Sequence, residues 1–233
     1  MEKQRIVLVT GANRGIGFAV AKKLLEKGTT VILTCRSEED GKETIKKLSE
    51  FDNVFYCQLD VTDVDSIEAC LKFTKDKFGR LDALINNAGI NYDTHQNIEN
   101  ADLGEVLTTF ETNTLAPIRM IQTFLPLLKR GGMSNIVNVS SGSGTLASQD
   151  GTTPGYSLSK LGLNGVTLAF ANQLKSEGII VNSVGPGWVR TDMGGSNANR
   201  SPEEGAETII WAALLEDRYL TGKFFRDKRE IDW

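Results

Sequence analysis

Apolar runs of strand length alternate with helical patterns along the chain. The first apolar run covers residues 5–10, and a periodic helical pattern follows at 18–27, where Gly28 stops it. Continuous apolar runs without alternation are typical of strands buried on both faces, as in parallel sheets. The order of elements therefore predicts an α/β fold built on a parallel sheet. The strands are expected at 5–10, 30–35, 53–59, 81–85, 135–139, 178–184 and 221–226.

The other helical patterns begin and end at recognisable signals. Gly79 follows one of them, and Ser201 and Pro202 with two acidic residues open the last one, as an N-cap and first turn do. No repeat, linker or low-complexity tract divides the 233 residues, so we expect one domain over residues 1–233. The helices are expected at 38–50, 63–78, 103–112, 115–130, from Tyr156 onward and from Ser201 onward.

A glycine-rich turn, Thr10 to Gly17, joins the first strand to the first helix. Strand, glycine turn and helix in this order are a dinucleotide-binding fingerprint, although such turns also occur as simple loops. Glycines let backbone N–H groups approach a pyrophosphate, and the positive end of the helix favours that anion. As cofactor ligands we predict Gly11, Asn13, Arg14, Gly15, Ile16 and Gly17.

The end of the second strand predicts which dinucleotide binds. An acidic residue near this position usually holds the free ribose 2′-hydroxyl of NAD. Here the strand ends in Cys35 and Arg36, without a carboxylate. Arg36, helped by Arg14, could instead bind the 2′-phosphate of NADP(H), while the alternative is two ordinary surface arginines. The missing acid favours NADP(H).

Tyr156 and Lys160 stand four residues apart at the start of a helical pattern, and therefore on one helix face. A cation beside a phenol favours the phenolate, so we expect a lowered pKa for Tyr156. A phenol tuned in this way can exchange a proton with a substrate oxygen. The alternative is a plain surface pair.

Polar residues also follow other predicted strands, at the edge where open α/β sheets bind ligands. Asp60, which precedes Val61, is expected to receive an adenine amino group or to cap the next helix. Asn113 lies between two predicted helices, as a cap or kink or as the holder of a water. The remaining candidates at strand ends are Asn87, Ala88, Gly89, Ser141, Pro186, Gly187, Val189 and Thr191.

Composition narrows the function classes. A formal net charge of −4, without a basic stripe, argues against nucleic acid as a partner. The apolar run at 6–9 is too short for a signal peptide or a membrane span. The three cysteines have no zinc or redox spacing, which fits a reducing cytoplasm. The single histidine, His95, excludes catalysis or a metal site built on several histidines.

Together these motifs resemble the short-chain dehydrogenase/reductase family over essentially the whole chain. The likeness rests on the glycine turn, Asp60-Val61, 86–89, Asn113, Ser141, Tyr156-x-x-x-Lys160 and Pro186-Gly187. Within the family, the turn, residues 186–192 and the ending 221–233 are most similar to NADPH-dependent carbonyl reductases. The resemblance implies a Rossmann-type, doubly wound sheet of seven parallel strands, order 3-2-1-4-5-6-7, with helices on both faces.

The resemblance also implies a mechanism, in which hydride from the nicotinamide reduces the carbonyl of a small-molecule substrate. Tyr156 would protonate the oxygen, and Ser141 would hold it. Lys160 would lower the Tyr156 pKa and bind the nicotinamide ribose. Asn113 would anchor a water. Val189 and Thr191 would contact the carboxamide.

Two departures from the family pattern leave alternatives open. The stretch between the serine and Tyr156 is about two residues longer than is common, and Ser143 would restore the usual spacing. We assign Ser141, because Ser141-x-x-Gly144 follows the strand directly. The chain also lacks a helical insertion found before the tyrosine in some animal carbonyl reductases, so their substrate range and monomeric state do not carry over.

Two rival functions remain open: a secondary-alcohol or steroid dehydrogenase working towards oxidation, and a catalytically silent nucleotide-binding regulator. Many family members form tetramers through two helices, which here correspond to the helix before Arg130 and the Tyr156 helix. We therefore expect a homo-oligomer.

Overall fold

The computed structural model describes residues 4–90 and 92–233, and its strands form one sheet in the order β3-β2-β1-β4-β5-β6-β7-β8. All neighbouring pairs are parallel except β7 and β8. The predicted α/β class and the order of the first seven strands are confirmed. The strands are β1 Ile6–Val9, β2 Thr30–Cys35, β3 Val54–Gln58, β4 Ala83–Asn86, β5 Ser134–Val139, β6 Ile179–Val184, β7 Phe224–Arg226 and β8 Arg229–Ile231.

The helices follow the predicted pattern with small shifts at their ends. They are α1 Gly15–Glu26, α2 Glu38–Lys47, α3 Val64–Phe78, α4 Leu103–Phe110, α5 Ala116–Gly131, α6 Pro154–Leu174 and α7 Pro202–Ala213. A π-helical turn, Glu111–Leu115, joins α4 to α5, where the sequence predicts an interruption at Asn113. Within residues 4–90 and 92–233, no helix is long and apolar enough to span a bilayer.

The two faces of the sheet carry separate apolar cores, because successive residues of a strand point to opposite sides. In β1, Val7 and Val9 belong to one core, and Ile6 and Leu8 belong to the other. Residues of α1 and α7 complete the first core, and residues of α3, α5 and α6 complete the second. The result is a doubly wound sheet with helices on both faces.

The seven predicted parallel strands are present, and an eighth strand that the sequence does not predict, β8, adds to the carboxyl end and pairs antiparallel with β7. Two residues, Asp227 and Lys228, connect the two strands, with φ of 52° and 59°. Positive φ at both central residues is typical of a two-residue hairpin turn, but this pair lacks the usual Asn-Gly signature. The sequence pattern therefore predicts only one strand in this region, at 221–226.

The strand order reverses between β1 and β4, where the chain leaves the two strands to opposite sides. In open α/β sheets, ligands bind in the crevice outside the carboxyl ends of the strands at such a point. The glycine turn after β1, the loop after β4 and the turn after β5 all open onto this edge. The fold thus brings the candidate residues to one side of the sheet.

Candidate active site

The catalytic candidates Tyr156, Ser141 and Lys160 meet at the crevice edge. The half-buried Tyr156 carries a phenol that is hydrogen-bonded to the Ser141 hydroxyl. Lys160 is 5% exposed, and its Nζ lies 5.7 Å from the centroid of the Tyr156 ring. The same Nζ donates a hydrogen bond of 2.8 Å to the Val139 carbonyl at the end of β5. The helical spacing thus brings phenol and ammonium together, and β5 supplies the serine.

The expected lowering of the Tyr156 pKa is wrong for this structure. Burial raises the pKa of Tyr156, the hydrogen bond to Ser141 lowers it by less, and Tyr92 raises it further. Burial also lowers the pKa of Lys160 to about 8, because the charged form is desolvated. The sequence places the two groups near each other but does not reveal how far the fold shields each of them from water, and this shielding decides both shifts.

The structure separates the roles of the two candidate serines. The Ser141 Oγ contacts the Tyr156 phenol and accepts a 3.2 Å hydrogen bond from the Ser143 backbone N–H. Ser143 therefore supports Ser141 through its backbone. The Ser143 carbonyl in turn accepts a hydrogen bond from Gln149 Nε2 at 2.8 Å. This geometry favours Ser141 as the hydroxyl that faces a substrate oxygen.

Asn113 is buried inside the π-helical turn, and its side chain bonds to protein groups. Its Oδ1 accepts from the Ile90 N–H at 2.9 Å, and its Nδ2 donates to the Ile90 carbonyl and to Ser159 Oγ, both at 3.0 Å. A Cβ on Gly89 would lie 3.2 Å from Asn113 Oδ1 and 3.6 Å from Lys160 Nζ. Asn113 therefore adjoins the lysine, and its water-holding role stays a prediction.

Helix α1 begins without a side-chain cap. Its N-cap residue, Arg14, makes no capping hydrogen bond, and the first turn contains no acidic residue. In four other helices the side chain of the N-cap residue accepts a hydrogen bond from a backbone N–H of the first turn: Ser37 in α2, Asp63 in α3, Asp102 in α4 and Ser201 in α7. Uncapped N–H groups at a helix N-terminus suit an anion, as the pyrophosphate of a dinucleotide requires.

The glycines of the turn are required by close backbone contacts. Gly11 has φ of 61°, and a Cβ there would approach Ala88 Cα to 3.0 Å. A Cβ on Gly17 would lie 2.3 Å from the Gly11 carbonyl oxygen and 2.5 Å from Asn87 Nδ2. Only glycine leaves this space for backbone. Gly15, with φ of 56°, packs against Thr191.

Asn87 and Ala88 bind the glycine turn from the end of β4. Asn87 Nδ2 donates to the Thr10 carbonyl at 2.8 Å and to the Gly11 carbonyl at 3.0 Å. The backbone N–H groups of Asn87 and Ala88 both donate to Thr10 Oγ1 at 2.9 Å. These hydrogen bonds hold the shape of the turn. Within the turn, Asn13 donates a hydrogen bond to Asp40, and Ile16 packs against the apolar core.

Arg36 is exposed at the end of β2 and lines a surface cavity of about 560 Å³ with Asp60. Asp60 Oδ1 accepts from the Thr62 N–H and hydroxyl at 2.9 and 2.7 Å, while a different residue, Asp63, caps α3. Val61 is half-buried against the core on the α3 side. The binding of the cofactor's adenosine end by these residues stays a prediction.

Arg14, the second predicted phosphate ligand, forms an exposed ion pair with Asp192. Asp192 belongs to the turn after β6, so this pair links the glycine turn to the loop that carries Val189 and Thr191. The structure thus brings Arg36 and Asp60 to one cavity, whereas Arg14 is paired with Asp192.

The turn after β6 contains the last group of predicted cofactor ligands. Gly187 has φ of 83°, and a Cβ there would approach Arg200 to 2.8 Å, while the Pro186 carbonyl accepts from Arg200 Nη1 at 3.3 Å. Val189 is buried, and Thr191 Oγ1 accepts from the Gly194 N–H at 3.1 Å. These contacts hold the turn at the carboxyl end of β6, beside the crevice.

Asp93 is a functional candidate that sequence reasoning missed. Its buried carboxylate accepts from the Gly155 and Tyr156 N–H groups at 2.8 and 3.0 Å, and from Gln96 Nε2 at 2.9 Å. Burial raises the pKa of Asp93, but these hydrogen bonds outweigh it and hold the pKa below its usual range. Asp93 therefore caps α6 from a distant loop, and no local pattern could show it.

The helix needs this distant cap because its own N-cap residue, Thr153, has φ of 46° and makes no capping hydrogen bond. The neighbour of Asp93, Tyr92, packs edge-on against the Tyr156 ring, with centroids 5.2 Å apart. The loop thus holds Tyr156 by its backbone and its ring.

Replacing Asp93 by alanine is expected to lower the free energy of unfolding by about 2–4 kcal/mol, because two buried N–H groups lose their acceptor. Asp102→Ala is the matched control, since Asp102 also caps a helix through two N–H groups but is exposed. It should cost only about 1 kcal/mol. Urea unfolding measures both, and a loss for Asp93→Ala no larger than the control would contradict a buried cap.

Comparison with known proteins decides the family. Residues 5–202 match the model of the short chain dehydrogenase family. The chain belongs to this family. The resemblance carried by the motifs is thereby confirmed.

Two relatives and one solved structure illustrate the similarity. Short-chain dehydrogenase anuI of Penicillium roqueforti is 36% identical, covering 97% of this chain and 95% of that protein. Bovine (Bos taurus) carbonyl reductase (NADPH) 1 is 32% identical, covering 98% of each chain. The NADPH-bound carbonyl reductase from chicken fatty liver superposes with a TM-score of 0.90 at 32% identity, covering 99% of this chain and 100% of that one. The likeness to these short-chain dehydrogenases therefore extends over the whole fold.

Proposed function

We propose that the protein reduces a ketone or aldehyde to an alcohol with NADPH, with Tyr156 as the proton donor. The observation that carries this proposal is the hydrogen bond between the Tyr156 phenol and Ser141, with buried Lys160 beside them. Similar proteins named as NADPH-dependent or NADPH-bound carbonyl reductases support it. The protein is accordingly an NADP(H)-dependent oxidoreductase of the short-chain dehydrogenase family.

The chain's own residues fit the cofactor. The uncapped N-terminus of α1 would bind the pyrophosphate, and Arg36 and Asp60 would bind the adenosine end. Val189 and Thr191 would lie against the nicotinamide, and Lys160 would bind its ribose. When bound, NADPH supplies the hydride. Ser141 would hold the substrate oxygen, and Tyr156 would donate a proton to it.

The raised pKa of Tyr156 is compatible with a role as proton donor. A phenol with a raised pKa stays protonated at neutral pH, and a proton donor must carry its proton when the carbonyl is reduced. The rates of carbonyl reduction and of alcohol oxidation separate this proposal from the rival alcohol or steroid dehydrogenase. The assembled catalytic groups argue against a silent regulator.

The loss of NADPH absorbance, measured with a panel of neutral and charged ketones and aldehydes, tests the function. The corresponding alcohols with NADP⁺ test the reverse reaction. Turnover of at least one carbonyl compound, faster than oxidation of its alcohol at neutral pH, is the expected result. NADPH binding without turnover of any carbonyl compound would support the regulatory alternative instead.

The two serines are expected to differ in their contribution. Ser141→Ala should lower kcat/KM by about 10- to 100-fold, because it removes a hydrogen bond to the developing oxyanion. Ser143→Ala should have an effect within about twofold, since its backbone N–H rather than its hydroxyl supports Ser141. Steady-state kinetics with one substrate decides, and equal losses or the reverse order would move the role to Ser143.

We further propose that the chain forms homo-oligomers through α5 and α6 and works in the cytoplasm as one domain. Leu161, Val166 and Leu168 of α6 are half-buried, which leaves part of this apolar surface open to a second copy. A monomer mass, measured by light scattering at micromolar concentration, would contradict association. The cytoplasmic assignment rests on the reduced state expected for the three cysteines, and cell fractionation tests it.

A further inference from the structure

Arg226 ends β7 and lies on the crevice side of the sheet. It is half-buried, and its side chain reaches across to the turn that follows β5. A Cβ built on Gly142 would lie only 2.5 Å from Arg226 Nη2. The guanidinium thus occupies the space that a side chain at 142 would fill. Gly142 directly follows Ser141, whose hydroxyl contacts Tyr156.

A second glycine contributes to this space at the end of β6. A Cβ on Gly185 would lie 3.4 Å from the Phe224 ring and 3.8 Å from the Gly142 nitrogen. Two glycines at neighbouring strand ends therefore leave room in which an arginine reaches the catalytic serine turn. Arginine is long enough to extend from β7 and keeps its charge at any physiological pH.

The Arg226 guanidinium makes no hydrogen bond or ion pair with the described residues, although Asp227 lies close enough to feel its charge. Its Nε is buried and makes no hydrogen bond, and no ion pair or cation–π contact involves it within residues 4–90 and 92–233. Buried polar atoms in proteins are normally paired, so an unpaired one at a crevice needs an explanation. An anion bound beside the guanidinium would balance the charge of this arginine.

The nearby carboxylates are already engaged by other cations. Both oxygens of Asp227 accept from the Arg200 guanidinium, at 2.7 and 2.8 Å. Glu230 Oε1 accepts from Lys223 Nζ at 2.7 Å. The carboxylates of the hairpin thus form their ion pairs with other cations, and Asp227 influences Arg226 only through its charge.

We propose that Arg226 binds a carboxylate of the substrate, so that the preferred substrate is an oxo acid with its carboxylate a few bonds from the carbonyl. The guanidinium presents parallel N–H donors that match the two oxygens of a carboxylate. The guanidinium lies against Gly142, the residue after Ser141, so in this proposal one molecule would place its carbonyl at Ser141 and its carboxylate at Arg226. This inference rests on the proposed carbonyl reduction.

The test compares oxo acids with their neutral esters: acetoacetate and levulinate against methyl acetoacetate and methyl levulinate. Wild type should show a higher kcat/KM for each acid than for its ester. Arg226→Met should lower the value for the acids by about 10- to 100-fold and leave the esters nearly unchanged, as expected for loss of charge-assisted hydrogen bonds.

Two further variants control for charge and for folding. Arg229→Met removes the same charge from an exposed residue that faces Arg226 across the hairpin. If it lowers acid turnover as much as Arg226→Met does, general attraction explains the effect and the proposed contact is wrong. Gly142→Ala keeps the arginine but displaces its guanidinium, so it should lower the preference for acids over esters.

Calorimetric titration of acetoacetate into protein saturated with NADP⁺ gives a readout without turnover. Binding that weakens about 10-fold or more in Arg226→Met supports the site even if no carbonyl compound is reduced, in which case the proposed function fails alone. Reduction of neutral carbonyls without binding of either oxo acid overturns the Arg226 site and leaves the function standing.

Discussion

Replacing Tyr156 by phenylalanine is expected to lower kcat for carbonyl reduction by about 10²- to 10⁴-fold. The phenol is hydrogen-bonded to the serine that would hold the substrate oxygen, and its raised pKa keeps the proton in place at neutral pH. Phenylalanine retains the ring that packs edge-on against Tyr92. The dissociation constant for NADPH should therefore change little.

Tyr92→Phe is the matched control, because it removes a hydroxyl from the neighbouring ring and keeps the same edge-on contact. It should retain kcat within about threefold, since Ser141 bonds to Tyr156. Single-turnover measurements with saturating NADPH separate chemistry from cofactor binding. Near wild-type turnover in Tyr156→Phe would remove Tyr156 from the proposed mechanism.

The fold was predictable because its strands are buried on both faces. β2 occupies the predicted residues 30–35, and all six of its residues are buried. Such strands appear as uninterrupted apolar runs in the sequence, and the glycine turn after the first run fixes the type of connection. β8 was not predictable, since it is a short, largely exposed strand whose turn residues, Asp227 and Lys228, do not form a typical hairpin pair.

The candidate site was predictable where helical spacing or strand ends determine position. Tyr156 and Lys160 lie near each other because they are four residues apart on α6. The direction of the Tyr156 pKa shift depends on tertiary burial, which spacing does not contain. Asp93 caps α6 across 62 residues of chain, and Arg226 reaches Gly142 from another strand. Only the packed fold shows such contacts.

Cofactor choice should depend on Arg36. It is exposed at the end of β2 and shares a cavity with Asp60, whereas Arg14 is paired with Asp192. The ribose phosphate of NADPH can attract both arginines, although Arg14 must then exchange Asp192 for the phosphate. Two charge-assisted contacts in a salt-screened setting give a preference for NADPH over NADH on the order of 10²-fold.

Arg36→Asp is expected to reduce that preference to about one or to reverse it. The carboxylate repels the 2′-phosphate and can accept a hydrogen bond from the free 2′-hydroxyl of NADH, so repulsion and a new attraction act together. Arg36→Met removes the charge without repulsion and should have an intermediate effect. Arg218→Asp makes the same charge change at an exposed residue outside this cavity and should leave the preference unchanged. The measurement is kcat/KM for both cofactors with one carbonyl substrate. If wild type prefers NADH, or if Arg36→Asp and Arg218→Asp behave alike, Arg36 is only a surface charge.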